Sequence, residues 1–321
     1  MEAVFVFPGQ GAQRVGMGES LMRASEAARS VMAEADRKTG LPLSEVCFNG
    51  PAERLTDTGF AQPGVVAVSL AAAAALRERL STEGIQLNPS YCAGHSVGEL
   101  AALVEAGALS LENGMSLAAA RGRLMAEASR EADGSMVAVM GLGEAALTAV
   151  CLQASSESGA SVQVANLNAP GQLVISGRRS ALARASELAK AAGARRVIPL
   201  EVSGPFHSVY MAPAAEQFRS LVSRAELSVP RCPVVLNLSA QPSSDPIEIR
   251  GELENQVTGA VRWSDTVRVL SESGSNLFVE LGPGQVLSSL IRRMSRDAVV
   301  LNVEDEVSLE ATVERLRQIG Q

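Results

Sequence analysis

Ser96 lies in Ala93-Gly94-His95-Ser96-Val97-Gly98-Glu99, with a glycine two residues to either side. Pro89-Ser90-Tyr91-Cys92 before it is short and apolar enough for a buried strand. Leu100 to Gly107 after it is rich in Ala and Leu and predicts a helix. A serine between two glycines at a strand-to-helix turn is the nucleophile-elbow pattern, G-x-S-x-G. The turn is sharp, a Cβ at either flank would clash, and glycine tolerates the backbone angles required. Such a turn lifts the hydroxyl clear of the sheet and sets it at a helix N-terminus, where unpaired N–H groups favour developing negative charge. The plain alternative is a glycine-rich turn with an incidental serine. The strand before and the helix after favour the elbow.

A serine hydroxyl is a poor nucleophile at neutral pH and needs a base. The chain has two histidines, His95 and His207. Adjacent side chains on a turn point apart, so His95 reads as structural. His207 sits in Val202-Ser203-Gly204-Pro205-Phe206-His207-Ser208, where Gly-Pro breaks regular structure and suits a residue that must reach across a cleft. The alternative is a lone surface histidine; the need of Ser96 for a base favours the first reading. A second loop, Pro8-Gly9-Gln10-Gly11-Ala12-Gln13, follows the apolar run Val4–Phe7. It matches neither G-x-G-x-x-G nor a P-loop. A glycine loop at the end of a strand can instead present backbone N–H groups to an oxyanion.

These residues need a scaffold. Helices are expected over Glu19–Arg37, Gly64–Leu80 and Leu111–Ser129, the last holding Arg121 and Arg123. The Gly64–Leu80 segment is apolar all round and so buried. From about Asp133 to Val202 the pattern changes to β-α-β-β-α-β, with a turn at Asn168-Ala169-Pro170-Gly171. That order is a ferredoxin-like unit. Afterwards come a helix over Met211–Leu227, a strand at Val234–Asn237, and helical segments around Trp263. A strand at Asn276–Leu281 ends in Gly282-Pro283-Gly284, before a helix over 285–295, a strand at Val299–Val303 and a helix over 308–318. The fold class is therefore α/β, a mostly parallel sheet with helices, interrupted by a small inserted domain. Residues 1–132 and 203–321 form the large catalytic domain and 133–202 the insertion. Sites in such sheets gather at the strand carboxyl ends, and Gln10, Ser96 and the Gly282 turn all follow strands.

Composition narrows the classes. The chain has 321 residues, 46% of them hydrophobic and only 3% aromatic, so the core is built from Ala, Val and Leu. A net charge of −7 argues against general nucleic-acid binding. The four cysteines lack metal or disulfide spacing and read as reduced, buried thiols. No signal peptide precedes Val4, and the apolar run Val65–Leu76 is too short to cross a bilayer. A cytoplasmic protein without membrane association is expected.

Several stretches stand in order along the chain: Phe7-Pro8-Gly9-Gln10-Gly11, Gln62-Pro63, Gly94-His95-Ser96-Val97-Gly98-Glu99 and Arg121-Gly122-Arg123-Leu124-Met125. Asn168-Ala169-Pro170-Gly171-Gln172, Phe206-His207-Ser208 and Glu280-Leu281-Gly282-Pro283-Gly284 continue the series. Together they resemble the malonyl-CoA:acyl-carrier-protein transacylase family of fatty acid and polyketide synthesis. The likeness runs from Phe5 to about Leu301. It implies a large domain resembling the α/β-hydrolases. It implies that Ser96 becomes acylated and that His207 is its base. The backbone N–H groups of Gln10 and Val97 would form the oxyanion hole. Arg121 would grip the free carboxylate of the malonyl group, a pairing that suits a guanidinium because it offers two parallel hydrogen bonds. Arg123 fits an ordinary surface arginine. The histidine would be held by a main-chain carbonyl, at the position of Gln256, and not by an acid. Val97 and Phe206 resemble malonyl-selective members, although Phe206 differs from the serine of some fatty-acid members.

The resemblance implies a ping-pong reaction. Malonyl-CoA acylates Ser96, and the phosphopantetheine thiol of an acyl carrier protein then takes the group. Thioester to ester to thioester is close to balanced, so neither metal nor bound cofactor is implied. A monomer is expected. Carrier proteins are acidic, so Arg178-Arg179, Arg195-Arg196 and Arg292-Arg293 are candidate docking pairs, each with solvated surface arginine as its plain alternative. Two readings compete: a serine hydrolase or thioesterase, and a non-catalytic carrier-binding module. A stand-alone polyketide acyltransferase, or the transacylase of a malonate decarboxylase system, remains a close variant.

Overall fold

The computed structural model describes residues 1–320; Gln321, the end of the expected large domain, lies outside them. β1 (Glu2–Phe7) is the apolar N-terminal run and is buried from Ala3 onward. Five helices follow: α1 (Glu19–Ala24), α2 (Glu26–Thr39), α3 (Leu43–Asn49), α4 (Ala52–Thr56) and α5 (Thr58–Thr82). The single helix expected over Glu19–Arg37 is two, because the Ser25 hydroxyl accepts from the Ala28 N–H and starts α2 anew. α3 is too short for its apolar stripe to stand out in the sequence.

α5 begins at Thr58, not Gly64. Asp57 caps it by accepting from the Gly59 N–H, and Pro63 is carried inside the helix. Proline removes one donor from the ladder, a loss the buried surroundings outweigh. This early start matters because it puts Gln62 on a rigid turn. By length and composition α5 alone among the described helices could cross a membrane, yet 83% of its most apolar window is buried inside the protein. It is the core helix of the large domain.

Next come β2 (Asn88–Gly94), α6 (Gly98–Ala106), α7 (Leu111–Glu131), β3 (Gly134–Met140) and α8 (Glu144–Ser158). β4 (Val162–Ala169), β5 (Gln172–Arg178), α9 (Arg179–Ala191) and β6 (Arg196–Pro199) complete the middle of the chain. The last third holds α10 (Ala212–Val222), β7 (Val234–Val235), β8 (Pro242–Ser243), α11 (Pro246–Asn255) and α12 (Trp263–Glu272). It closes with β9 (Leu277–Leu281), α13 (Val286–Met294), β10 (Val299–Val303) and α14 (Glu306–Ile319). The helix expected from Met211 is preceded by a 3-10 turn at Val209–Met211 and stops at Val222. The strand expected over Val234–Asn237 pairs only at Val234–Val235, leaving Asn237 free for the site.

Six strands form one sheet in the order β10-β9-β1-β2-β7-β8, parallel except for the edge strand β8. Phe7 of β1 is level with Gly94 of β2, so the Gln10 loop and the Ser96 turn leave the sheet side by side. The second sheet is antiparallel, in the order β4-β5-β3-β6. Val137, Val139, Leu173 and Ile175 face α8 and α9. Met136 and Val174 face the main core. That is the ferredoxin-like unit expected. Its hairpin turn narrows to Pro170-Gly171, because β4 runs on to Ala169.

The elbow glycines are needed for close approach and not for their backbone angles. Neither has a positive φ; Ser96 itself takes φ 53°. A Cβ on Gly94 would lie 2.0 Å from the Gly98 carbonyl carbon, and one on Gly98 would lie 2.3 Å from the Phe7 oxygen. Gly94→Ala should therefore cost at least about 2 kcal/mol of stability, the scale of overpacking a tight core. Denaturant unfolding would read it, and an unchanged midpoint would contradict this account of the turn.

Candidate active site

Ser96 Oγ lies 2.7 Å from His207 Nε2. The proton directions follow from the neighbours. His207 Nδ1 faces two main-chain carbonyls, Gly259 at 2.9 Å and Gln256 at 3.1 Å. Carbonyls only accept, so Nδ1 carries the hydrogen and Nε2 offers its lone pair to the serine hydroxyl. No carboxylate contacts His207 among the described residues. Burial, and next the charge of Arg121, push its pKa down to about 3, so the ring is neutral.

Both members of the pair sit in costly backbone conformations, Ser96 at φ 53° and His207 at φ 56°. Such conformations persist where the surroundings over-determine them. For Ser96, Asn237 Oδ1 accepts from its N–H at 2.8 Å, while Asn237 Nδ2 donates to the Gly94 oxygen at 2.7 Å. For His207, Gln163 of the small sheet donates from Nε2 to the His207 and Thr258 oxygens, both at 3.2 Å, and accepts from the Val209 N–H at 3.1 Å. The small sheet thus clamps the histidine loop to the turn that orients the ring. Its β4 also exchanges backbone hydrogen bonds with Val261, just beyond that turn. Gly204 lets the loop approach α7, since a Cβ there would sit 2.1 Å from Ser129 Oγ.

Arg121, on α7, is 1% exposed. Its Nη1 donates to Gln62 Oε1 at 2.6 Å; its Nη2 donates to Gln256 Oε1 at 2.8 Å and to Ser96 Oγ at 3.2 Å. Its Nε has no partner. None of these partners is an anion, and burial lowers its pKa only to about 10, so the guanidinium stays charged. α7 reaches this position because Gly122 packs against α5, where a Cβ would lie 2.6 Å from the Thr58 oxygen. Arg123 points elsewhere and pairs with Glu127 on the surface.

A cavity of about 300 Å³ opens over Ser96, lined by Gln10 and Arg121 on one side and by Met136, Val174 and Phe206 on another. The backbone N–H groups of Gln10 and of Val97 have no hydrogen-bond partner among the described residues. Val97 is the cap residue of α6, where the helix dipole adds positive potential. The Gln10 side chain is tied to Thr58 Oγ1 at 3.1 Å. Gly282 itself does not line the cavity; it packs against Pro8, and α13 beyond it contributes Val286, Leu287 and Leu290.

His95 is half-buried, its Nε2 bonded to Asn168 Oδ1 at 2.9 Å and its ring tilted against Trp263. It does not reach the serine hydroxyl. Of the candidate docking arginines, Arg178 lies over the Tyr210 ring and Arg179 pairs with Asp133. Arg292 donates to the Val300 oxygen and Arg293 to Gln172. Asn237, Gln163, Gly259 and the Gln62 and Gln256 side chains were not singled out as site residues by chemistry in the sequence. Asn237 carried one faint signal, a polar residue ending the apolar run from Val234. The four cysteines are buried free thiols, Cys232 Sγ donating to Cys92 Sγ at 3.7 Å, and no cluster of metal-ligating side chains occurs among the described residues.

A sequence profile of the acyl transferase domain matches residues 4–318. The malonyl CoA-acyl carrier protein transacylase of Bacillus subtilis is 40% identical over 98% of this chain and 97% of its own. That of Haemophilus influenzae is 38% identical over 97% and 98%. Among solved structures, an acyl-carrier-protein S-malonyltransferase from Bartonella henselae superposes with a TM-score of 0.90 at 39% identity, covering 99% of this chain and all of that one. A malonyl-transacylase solved in complex with its type II polyketide synthase acyl-carrier protein superposes with a TM-score of 0.91 at 36% identity, covering 98% of this chain and all of that one. With matches of this extent, the chain belongs to the acyl transferase domain family, among the malonyl-CoA:acyl-carrier-protein transacylases.

Proposed function

We propose that this protein moves a malonyl group from malonyl-CoA to the phosphopantetheine thiol of an acyl carrier protein by way of a Ser96 ester. The observation that carries this reading is the buried, charged Arg121, 3.2 Å from Ser96 Oγ and without an anionic partner. A short acyl group bearing its own carboxylate supplies that partner. The neutral His207 takes the Ser96 proton as the hydroxyl attacks the thioester carbonyl, and returns it to the departing CoA sulfur. The unpartnered N–H groups of Gln10 and Val97 stabilise the oxyanion of the tetrahedral intermediate. In the second half His207 deprotonates the carrier thiol, which attacks the ester. The carbonyls of Gln256 and Gly259 hold the ring throughout.

In this reading residues 133–202 are the inserted domain, which walls the cavity with Met136 and Val174. No metal or bound cofactor takes part, because each step exchanges one acyl ester for another. The four buried free thiols suit a reducing, cytoplasmic setting. The enzyme works as a monomer. The hydrolase alternative is not favoured: His207 lacks the acid that such enzymes use, and full relatives are transacylases.

Arg121→Ala should lower malonyl transfer by roughly a hundredfold, the scale of losing a charge-assisted bidentate contact, while acetyl transfer holds or rises. Parallel rates with the two CoA thioesters would read it, and equal losses would contradict the role of Arg121. His207 supplies a second check. A lowered histidine pKa keeps the base unprotonated as pH falls, so kcat/KM should stay level from about pH 7 to about pH 5. A half-loss centred near the ordinary histidine value of about 6.5 would contradict the neutral, buried ring.

A further inference from the structure

Three glutamates are buried in this protein: Glu99, Glu105 and Glu280. Glu105 pairs with Arg77, and Glu280 accepts from the Leu287 and Ser288 N–H groups at the start of α13. Both are accounted for by local structure. The partners of Glu99 lead instead into the site. We propose that Glu99 is a positioning residue for malonyl selectivity, its two accepting oxygens fixing the orientation of the Gln256 carboxamide that holds Arg121. This rests on Arg121 being the grip on the substrate carboxylate.

The hydrogen-bond directions carry the argument. Arg121 Nη2 can only donate, so Gln256 Oε1 accepts from it. Gln256 Nε2 must then donate, and it does so to the Ser96 oxygen at 2.8 Å and to Glu99 Oε2 at 2.7 Å. The Asn237 backbone N–H can also only donate, and it meets Glu99 Oε1 at 2.8 Å. Both oxygens of Glu99 therefore accept. An amide in its place would set an N–H against one of these donors. The two donors favour the ionised form, while burial, the largest influence, leaves the carboxyl pKa raised to about 8. The result is a fixed line from guanidinium through neutral amide to carboxyl, wholly buried. It holds the guanidinium at the position where it reaches Ser96 Oγ, and it leaves Arg121 Nε unpartnered.

Glu99→Gln keeps the shape and replaces one accepting oxygen by a donor. Its NH2 must face either Asn237 N–H or Gln256 Nε2, so the amide relay is broken and Arg121 loses its Nη2 anchor. An acetyl group has no carboxylate and does not call on that anchor. The test is kcat and KM for malonyl-CoA and acetyl-CoA in the wild type, Glu99→Gln, Arg121→Ala and the double variant. Glu99→Gln should lower the malonyl-to-acetyl ratio of kcat/KM by roughly tenfold, mainly through the malonyl KM, the scale of one hydrogen bond to a charged group. It should add nothing to the ratio already lost in Arg121→Ala. If Glu99→Gln does not fold, Gln256→Leu cuts the same relay while leaving the main-chain carbonyl that holds His207, and the same ratio is read. A merely structural Glu99 would lower both substrates in parallel, and an unchanged ratio overturns the proposal. An unchanged ratio in Arg121→Ala would instead overturn the underlying role of Arg121.

Discussion

A cation buried without an anion beside it is the constraint on which this site depends. Taking a guanidinium out of water is expensive unless its donors are met. Here two neutral carboxamides, Gln62 and Gln256, and the Ser96 hydroxyl oxygen meet the Nη1 and Nη2 donors, and Nε is left without a partner. The price of keeping that charge is spread over three elements: α5, which must start early enough to present Gln62; α7, which must press close through Gly122; and the segment after α11, which brings Gln256. Each is a packing requirement that serves to place that charge, and in the proposed reaction the substrate carboxylate is its partner.

Ser96 and His207, the proposed nucleophile and base, come from far apart in the chain and meet at 2.7 Å. β1, β2 and β7 are neighbours in the parallel sheet, so the Gln10 loop, the Ser96 turn and Asn237 all emerge at one edge. The histidine has no such anchor. It hangs in a loop after the small domain, and it is held by what that domain and the Gln256–Gly259 turn provide. Using carbonyls in place of a carboxylate fixes the tautomer without adding negative charge. That suits a site already containing a buried cation and awaiting an anionic acyl group.

Much of this was legible in the chain. The Ser96 turn announces itself by glycine spacing between an apolar strand and a helix, and with two histidines the base was a short choice. The ferredoxin-like order could be read because its strands and helices alternate cleanly, with turn residues between them. What escaped has physical reasons. Pro63 reads as a helix boundary, yet tertiary burial carries α5 across it. Ser25 reads as an ordinary helical residue, yet its hydroxyl starts a new helix. Asn237, Gln163 and Gly259 act through single polar atoms or main-chain carbonyls, which leave almost no trace in residue type. The flanking glycines read as needed both for close approach and for their backbone angles; the first holds, whereas the strained angle belongs to Ser96.

The most direct measurement of the central claim is intact-protein mass spectrometry after mixing with malonyl-CoA, followed by peptide mapping and by addition of phosphopantetheinylated acyl carrier protein. The account predicts one malonyl adduct on the peptide containing Ser96, absent in Ser96→Ala, and lost on addition of the carrier as malonyl-carrier appears. Free malonate and CoA accumulating without an adduct, or an adduct that survives in Ser96→Ala, would contradict it.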